Sequence, residues 1–341
     1  MGKRILVTGS AGFIAGYVVE ELLNNGWDVV GIDNFSKYGE LSKSYDDHPN
    51  YTFHRGDAKN TGMLKEIAAD CDHILAGAAM IGGITYFHEY AYDLLAENER
   101  IVASTFDAAI DAYKNHKLQK ITVLSSSMVF ESSDVYPTPE EAITTSPPPL
   151  STYGFQKLSC EYFCKGALEQ YGLPYTIVRP FNCVGIGEQR AIGEHEVSSG
   201  DVKLAMSHVV PDLIQKLVKG QDPLRILGDG QQVRHYTYGA DLAEGIRVCI
   251  EHPKALNEDF NISTEVSTTV LELAEAIWNK IRPGQEFSYA SDDPFTYDVQ
   301  KRVPEVSKAK NLLGYEAKTS LDEILDIVVP WVTEQVEKGT I

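Results

Sequence analysis

The stretch RILVTGSAGFIAG, residues 4–16, decides the fold. Its first four residues, 4–7, form a short apolar run of the kind that becomes a buried strand. The residues from Ile14 to Asn25 have helical spacing. Gly9 and Gly12 lie between the two, where glycine lets the backbone approach a pyrophosphate that binds the free amides of a helix N-terminus. The stretch therefore predicts a strand, a phosphate-binding turn and a helix.

Four further apolar runs repeat this alternation of strand and helix. They are residues 28–32, 72–75, 121–124 and 175–180, each short and rich in Val, Ile and Leu. Such runs separated by helices predict an α/β fold with a doubly wound parallel sheet. Beyond Asn182 the alternation gives way to a Gly- and Glu-rich stretch at 185–200, which predicts the start of a smaller C-terminal α/β substrate-binding domain. The predicted boundaries are 1–182 plus about 232–262 for the first domain, and about 183–231 plus 263–341 for the second.

Composition limits the classes of partner. The 341 residues carry 30 basic and 49 acidic side chains, a formal charge of −19, which argues against nucleic acid or an anionic membrane as the main partner. An anionic substrate is still allowed, because a local basic pocket can lie in an acidic shell. The first apolar run stops at Thr8, too early for a signal-peptide core, and no run approaches the ~20 apolar residues of a membrane span. The sequence therefore predicts a cytoplasmic protein.

Cysteine and histidine spacing gives no metal-ligand pattern. The five cysteines are scattered, and the nine histidines form no His-x-x-x-His pair. Cys160 and Cys164 lie on one face of a predicted helix, where we interpret them as small apolar core residues. No metal site is predicted.

Asp33 indicates which dinucleotide binds. It follows the second predicted strand, about 20 residues beyond the glycine turn. A carboxylate there binds both hydroxyls of an adenosine ribose and repels a 2′-phosphate. NAD is therefore predicted as the cofactor in preference to NADP.

Tyr153 and Lys157 form a candidate acid/base pair, four residues apart on one helical face. An ammonium group beside a phenol favours the phenolate, which can remove a hydroxyl proton while a hydride leaves the same carbon for the cofactor. Ser126 or Ser127, at the end of the third of the later apolar runs, would orient the substrate oxygen. The pair and the serines together predict an oxidoreductase type of chemistry.

In this order the three motifs resemble the extended short-chain dehydrogenase/reductase family, in the branch that remodels sugars attached to nucleotides. The resemblance runs from Lys3 to about Trp331. It implies a Rossmann-type domain, NAD as cofactor, a nucleotide-diphosphate sugar as substrate, and a homodimer through a four-helix bundle. In that bundle the helix from about Ala91 to Tyr113 and the Tyr153 helix pair with their copies. Apolar residues considered for the paired face are Ile101, Val102, Phe106 and Ile110.

The resemblance also implies site residues. VRPFNCVG, residues 178–185, is similar to a segment whose asparagine, here Asn182, contacts the substrate diphosphate region. LGDGQQVRHYTYGADLA, residues 227–243, resembles a segment whose arginine, here Arg234, clamps the diphosphate. Implied cofactor contacts are Gly9, Gly12, Phe13, Ile14, Asp33, Asn34, Asp57, Ala78, Ala79, Asn98, Tyr153 and Lys157. Implied substrate contacts are Met80, Met128, Asn182 and Arg234.

Departures from each branch of the family bear on the reaction. Ser127-Met128 stands where 4,6-dehydratases carry Asp-Glu, and the decarboxylating branch has glutamate at the Met128 position. The loop at 78–84 and the SHVVP segment at 207–211 resemble GDP-fucose synthase and GDP-mannose 3,5-epimerase, and His208 matches the acid of the synthase. Both enzymes need cysteine at the Met128 position, however, and a thioether cannot exchange a proton.

The chemistry that remains needs only Tyr153, Lys157, a serine and NAD, which is 4-epimerisation through a transient 4-keto sugar. Phe130 and Glu131 replace the usual tyrosine and glycine, so an unusual sugar pocket is expected. One alternative is a dehydratase or a C3/C5 epimerase that uses His208 as a second acid/base. Another is a non-catalytic NAD(H)-binding sensor or scaffold. The nucleotide, the sugar and the pathway stay open.

Overall fold

A computed structural model of the chain describes residues 3–82, 89–192, 197–200, 202–204, 208–293 and 299–341. Within these residues the elements in chain order are β1 (Arg4–Thr8), α1 (Phe13–Asn24), β2 (Asp28–Asp33), β3 (Tyr51–Arg55), α2 (Thr61–Ala68), β4 (His73–Ala76), α3 (Ala91–Asn115), β5 (Lys120–Leu124), α4 (Thr152–Tyr171), β6 (Tyr175–Pro180), β7 (Cys183–Val184), β8 (Val197–Ser199), β9 (Val202–Leu204), α5 (Val209–Val218), β10 (Leu224–Leu227), β11 (Val233–Arg234), β12 (Thr237–Tyr238), α6 (Gly239–Glu251), β13 (Glu258–Ile262), β14 (Thr268–Thr269), α7 (Val270–Ile281), β15 (Tyr289–Asp292), α8 (Ser307–Leu313) and α9 (Leu321–Lys338).

The central sheet confirms the doubly wound prediction. Its seven strands, within the described ranges, are all parallel in the order β3-β2-β1-β4-β5-β6-β13. The direction of winding reverses between β1 and β4, which opens a crevice at the carboxyl ends of these strands. Strands β3 and β13 were not among the predicted apolar runs. Strand β3 lies at the sheet edge with Thr52 and Phe53 exposed, so it lacks a buried apolar pattern.

Helices cover both faces of the sheet. One face is buried under α1, α6 and α8, with Leu22, Ile246 and Phe260 in the core. The other is buried under α2, α3 and α4. Cys160 and Cys164 belong to this second core as unpaired thiols, which agrees with their interpretation as apolar core residues.

A third core lies apart from the sheet. It joins α5, β10, α7 and α9 through Leu213, Ile226, Trp278 and Val328. Helices α7 and α9 each begin with a capping box, in which a hydroxyl and a glutamate satisfy the first backbone amides. These elements form a C-terminal lobe, whose boundaries as a domain stay a prediction.

Two further observations concern the helices. In the part of the chain that the structure covers, no helix combines the length and the apolar character needed to cross a membrane.

In α3, Phe106 is a core residue, and Val102 and Ile110 pack against the same core. Phe106 is therefore a core residue, whereas Ile101, Val102 and Ile110 are only partly buried, and the pairing of this helix with a second subunit stays a prediction.

Candidate active site

A cavity of about 1050 Å³ lies between the carboxyl ends of the sheet and the C-terminal lobe. Side chains from both parts of the chain line it. Every predicted site residue except Asn98 is among the lining residues. The cavity therefore gathers residues that are separated by more than 200 positions in the sequence.

The glycine turn after β1 fits against the end of β4. Gly9 has a φ of +74°, and a Cβ atom there would lie 2.8 Å from the Cα of Ala78. Thr8 Oγ1 accepts hydrogen bonds from the amides of Gly77 and Ala78, both at 3.1 Å. No side-chain oxygen caps the described α1 helix at Gly12, so its first amides can bind a pyrophosphate. The turn thus fits the dinucleotide that the sequence predicts.

Asp33 is held at the end of β2 by two backbone amides. Its Oδ2 accepts from Ala11 at 3.1 Å, and its Oδ1 accepts from Phe35 at 2.7 Å. Each carboxylate oxygen keeps a second lone pair, which is available to a ribose hydroxyl. At the same end of the cavity, Asn34 donates to Asp57 at 3.3 Å.

Asn98 lies behind the cavity wall. The side chain is 1% exposed, its Oδ1 accepts from the Met80 amide at 2.7 Å, and its Nδ2 donates to the Met80 carbonyl at 2.9 Å. Both ends of the amide are used on the backbone of Met80, so the geometry gives Asn98 a positioning role. Residues 83 and 84 of the loop that begins at Ala78 lie outside the described residues, as does Ser207.

A buried ionic network anchors the first serine of the triplet. Ser125 Oγ donates to Glu161 at 2.6 Å, and Arg179 donates to both oxygens of Glu161 at 2.8 and 2.7 Å. Arg179 also pairs with Asp259 at 2.8 Å. The Ser125 hydroxyl is therefore bound to Glu161. Ser126 and Ser127 are the two serines of the triplet that stay candidates for orienting the substrate oxygen. The sequence did not point to Glu161, because its partners lie 18 and 36 residues away.

The start of α4 packs tightly on the serine turn. A Cβ atom on Gly154 would lie 2.7 Å from the Met128 carbonyl oxygen, so only glycine permits this approach. Lys157 Nζ donates to the Leu124 carbonyl at 2.9 Å, which fixes its ammonium group at the end of β5. Tyr153 and Lys157 are 7% and 8% exposed. The predicted acid/base pair therefore lies beside the predicted serines.

The contacts of Glu131 account for a glutamate at the position where the family usually has glycine. Its Oε2 accepts from the amide and the hydroxyl of Ser151, at 2.9 and 2.8 Å. Ser151 in turn caps α4 by accepting from the Gly154 amide at 3.0 Å. Glu131 thus holds the helix start two residues before Tyr153.

His208 Nδ1 lies within hydrogen-bonding distance of a Glu188 carboxylate oxygen, and both residues line the cavity. The His208 side chain is 52% exposed and that of Glu188 only 10%. Burial raises the pKa of the Glu188 carboxyl, but the charges of His208 and Lys37 outweigh it, so the pKa lies below its ordinary value. Glu188 is therefore a carboxylate that orients the imidazole at Nδ1. No sequence pattern had identified Glu188.

Comparison with known proteins identifies the family. The profile of the NAD dependent epimerase/dehydratase family matches residues 5–263. An uncharacterised UDP-glucose epimerase of Bacillus subtilis is 28% identical, over 94% of this chain and 95% of that protein. The UDP-glucose 4-epimerase of Thermotoga maritima, solved with UDP-glucose, is 28% identical with a TM-score of 0.79, covering 98% of this chain and 99% of that one. The UDP-glucuronic acid 4-epimerase of Bacillus cereus, solved with UDP-glucuronic acid and NAD, is 26% identical with a TM-score of 0.79, covering 97% and 99%.

Proposed function

We propose that this chain, which belongs to the NAD-dependent epimerase/dehydratase family, inverts carbon 4 of a nucleotide-diphosphate sugar. The family expected from the motifs is thereby confirmed, and with it the dependence on NAD. The observation that carries the finer proposal is the set of groups around the serine turn. Tyr153, Lys157 and the two serines meet there, and Met128 occupies the place where elimination chemistry needs a titratable side chain.

In this reaction Tyr153 takes the proton of the 4-hydroxyl and returns it after the sugar has turned. NAD, when bound, supplies the chemistry of accepting and returning the hydride. Lys157, anchored to the Leu124 carbonyl, places its charge beside the phenol. Ser126 or Ser127 donates to the oxygen on carbon 4, which aligns the carbon for transfer from either face.

The other end of the substrate binds in the C-terminal lobe. Arg234, in β11, lines the cavity and suits a diphosphate because its planar guanidinium can donate two hydrogen bonds at once. Asn182 has a φ of +33° and accepts from the Thr237 amide at 3.1 Å through its carbonyl, which fixes the backbone where the predicted diphosphate contact lies.

The Glu188–His208 pair favours a second candidate function. An imidazole oriented by a buried carboxylate is a suitable general acid or base. With it, the same cavity could carry an elimination or a C3/C5 epimerisation. A sensor or scaffold without turnover, by contrast, would have no use for Tyr153.

Deuterium labelling separates the two enzymatic candidates. In 4-epimerisation the hydride leaves and returns by way of NAD, so turnover in D2O is expected to leave every carbon-bound hydrogen of the sugar unlabelled. Elimination or C3/C5 epimerisation exchanges a proton with solvent, which puts deuterium on carbon 3, 5 or 6. The label is read by mass spectrometry and NMR of the recovered nucleotide sugar.

The variant His208→Asn sharpens this experiment, because asparagine keeps hydrogen bonding but cannot titrate. A 4-epimerase should lose no more than severalfold in turnover. His116→Asn, an exposed histidine at the end of α3, is the matched control. Label at carbon 5 together with an inactive His208→Asn variant would overturn 4-epimerisation and leave the family standing.

We further propose a homodimer through α3 and α4. Supporting it are three large aromatic side chains that stay exposed on these helices: Tyr92 at 77%, Phe155 at 49% and Tyr162 at 64%. Ser159, on the Phe155–Tyr162 face, donates to Glu99 of α3 at 3.1 Å, so the two helices present one continuous surface.

Sedimentation should give twice the chain mass at micromolar concentration, and Tyr162→Asp should shift the measured mass toward that of the monomer. A monomeric wild type would contradict the proposal. A cytoplasmic location stays a prediction.

A further inference from the structure

Two segments of the chain carry the groups of the proposed reaction. The serine turn, residues 125–131, holds Ser126 and Ser127, and the first turn of α4 holds Tyr153. The loop at 132–150 joins the two segments. A connection of that length does not fix the distance between the tyrosine and the serines, so direct contacts between the segments must do so.

Glu131 makes such a contact. Its amide donates to the Met128 carbonyl at 3.1 Å and so ends the short 3-10 helix at Ser127–Phe130. Its Oε2 accepts from the amide and the hydroxyl of Ser151, at 2.9 and 2.8 Å. Two donors on one oxygen of a carboxylate form charge-assisted hydrogen bonds, which are stronger than bonds between neutral groups. One side chain therefore joins the turn with the serines to the helix with the tyrosine.

Ser151 transmits this constraint to Tyr153. The Ser151 Oγ accepts from the Gly154 amide at 3.0 Å, and the Ser151 carbonyl accepts from the Phe155 amide at 3.0 Å. Ser151 is thus bound to the two residues that follow Tyr153. A Cβ atom on Gly154 would lie 2.7 Å from the Met128 carbonyl oxygen, so the helix start has no room to move toward the turn. Without the Glu131 contact it could move away.

Building on the 4-epimerisation proposed above, we propose that Glu131 is a positioning residue, which sets the distance between the Tyr153 hydroxyl and the hydroxyls of Ser126 and Ser127. Those groups must reach the same sugar oxygen, and a displacement of about 1 Å can lower a rate about a hundredfold. Glu131 acts through Ser151. Its loss should therefore slow the chemical step and leave binding almost unchanged.

Single-turnover reduction of bound NAD tests this role, with the full chain, NAD and a nucleotide sugar that the wild type converts. Glu131→Ala removes the acceptor for Ser151 and should slow the appearance of NADH absorbance about tenfold or more. Glu131→Gln keeps an oxygen that can accept from Ser151, so it should stay within severalfold of the wild-type rate. The affinity for the corresponding nucleoside diphosphate, measured by calorimetry, should change less than about threefold in both variants.

Ser132→Ala is the matched control. Ser132 Oγ donates to the Pro148 carbonyl at 3.0 Å, so it holds the same loop near the turn without a contact to Ser151. The control should reduce NAD at the wild-type rate. Combining Glu131→Ala with Ser151→Ala should cost less than the two single losses added together, because both substitutions break the same contact.

Reduction within severalfold of the wild-type rate in Glu131→Ala would overturn the positioning role and leave 4-epimerisation standing. An equal loss in Ser132→Ala or in Glu131→Gln would also overturn it, because the loop as a whole or the charge would then control the rate. A loss of affinity in place of rate would show a direct contact with the substrate and contradict the proposal as well. If the wild type reduced its NAD with none of the nucleotide sugars, both proposals would fail, since Tyr153 would then have no proton transfer that Glu131 could position.

Discussion

Replacing Tyr153 with phenylalanine should lower turnover by a factor of about one hundred or more while NAD remains bound. The substitution keeps the aromatic ring, which is 7% exposed and packs beside Met128 and Leu94, so the fold should be preserved. It removes the phenolic oxygen, which is the atom that exchanges the substrate proton in the proposed mechanism. Turnover is measured by following the nucleotide sugar, and cofactor retention by absorbance and calorimetry.

Tyr171→Phe is a suitable control, since Tyr171 is the last residue of the same helix and its ring packs under Lys114. It should behave as wild type. If Tyr153→Phe stayed within severalfold of wild-type turnover, the proton would have to be handled elsewhere, and His208 would be the next group to test. Loss of NAD along with turnover would point instead to a structural defect.

Replacing Glu161 with glutamine should lower the free energy of unfolding by about 3 kcal/mol. Glu161 and Arg179 are 0% and 1% exposed, and glutamine leaves the guanidinium with Asp259 as its remaining anionic partner. Removal of one member of a buried ion pair is costly because the charge left behind has lost its hydration and its main counter-ion. Urea unfolding at neutral pH measures the change.

Glu169→Gln controls for the loss of charge, because Glu169 is exposed on the same helix. It should change stability by less than about 0.5 kcal/mol. A similarly small loss in Glu161→Gln would show that the network around Ser125 contributes little to the fold. Because Ser125 donates to Glu161, the variant should also disturb the turn that carries Ser126 and Ser127, and turnover should fall along with stability.

Local patterns in the sequence predicted the architecture and the chemistry. The stretch at 4–16 carries its own reasons for a strand, a glycine turn and a helix, and the structure has β1, the turn and α1 there. The pair Tyr153 and Lys157 is likewise local, since helical spacing alone puts both on one face. The edge strand β3 was missed because its residues are too exposed to show a buried apolar pattern.

Only the tertiary structure decided which side chains hold these groups in place. Glu131 meets Ser151 across 20 residues, Glu188 meets His208 across another 20, and Glu161 meets Ser125 across 36. No periodic pattern in the sequence predicts the partner of a carboxylate in a loop or helix, because that partner depends on how the two lobes pack. The sequence by itself therefore determined the fold and the cofactor and predicted the acid/base pair, each encoded within a few residues. The orientation of those groups depends on contacts distant in sequence, which form when the sheet and the C-terminal lobe pack around the cavity.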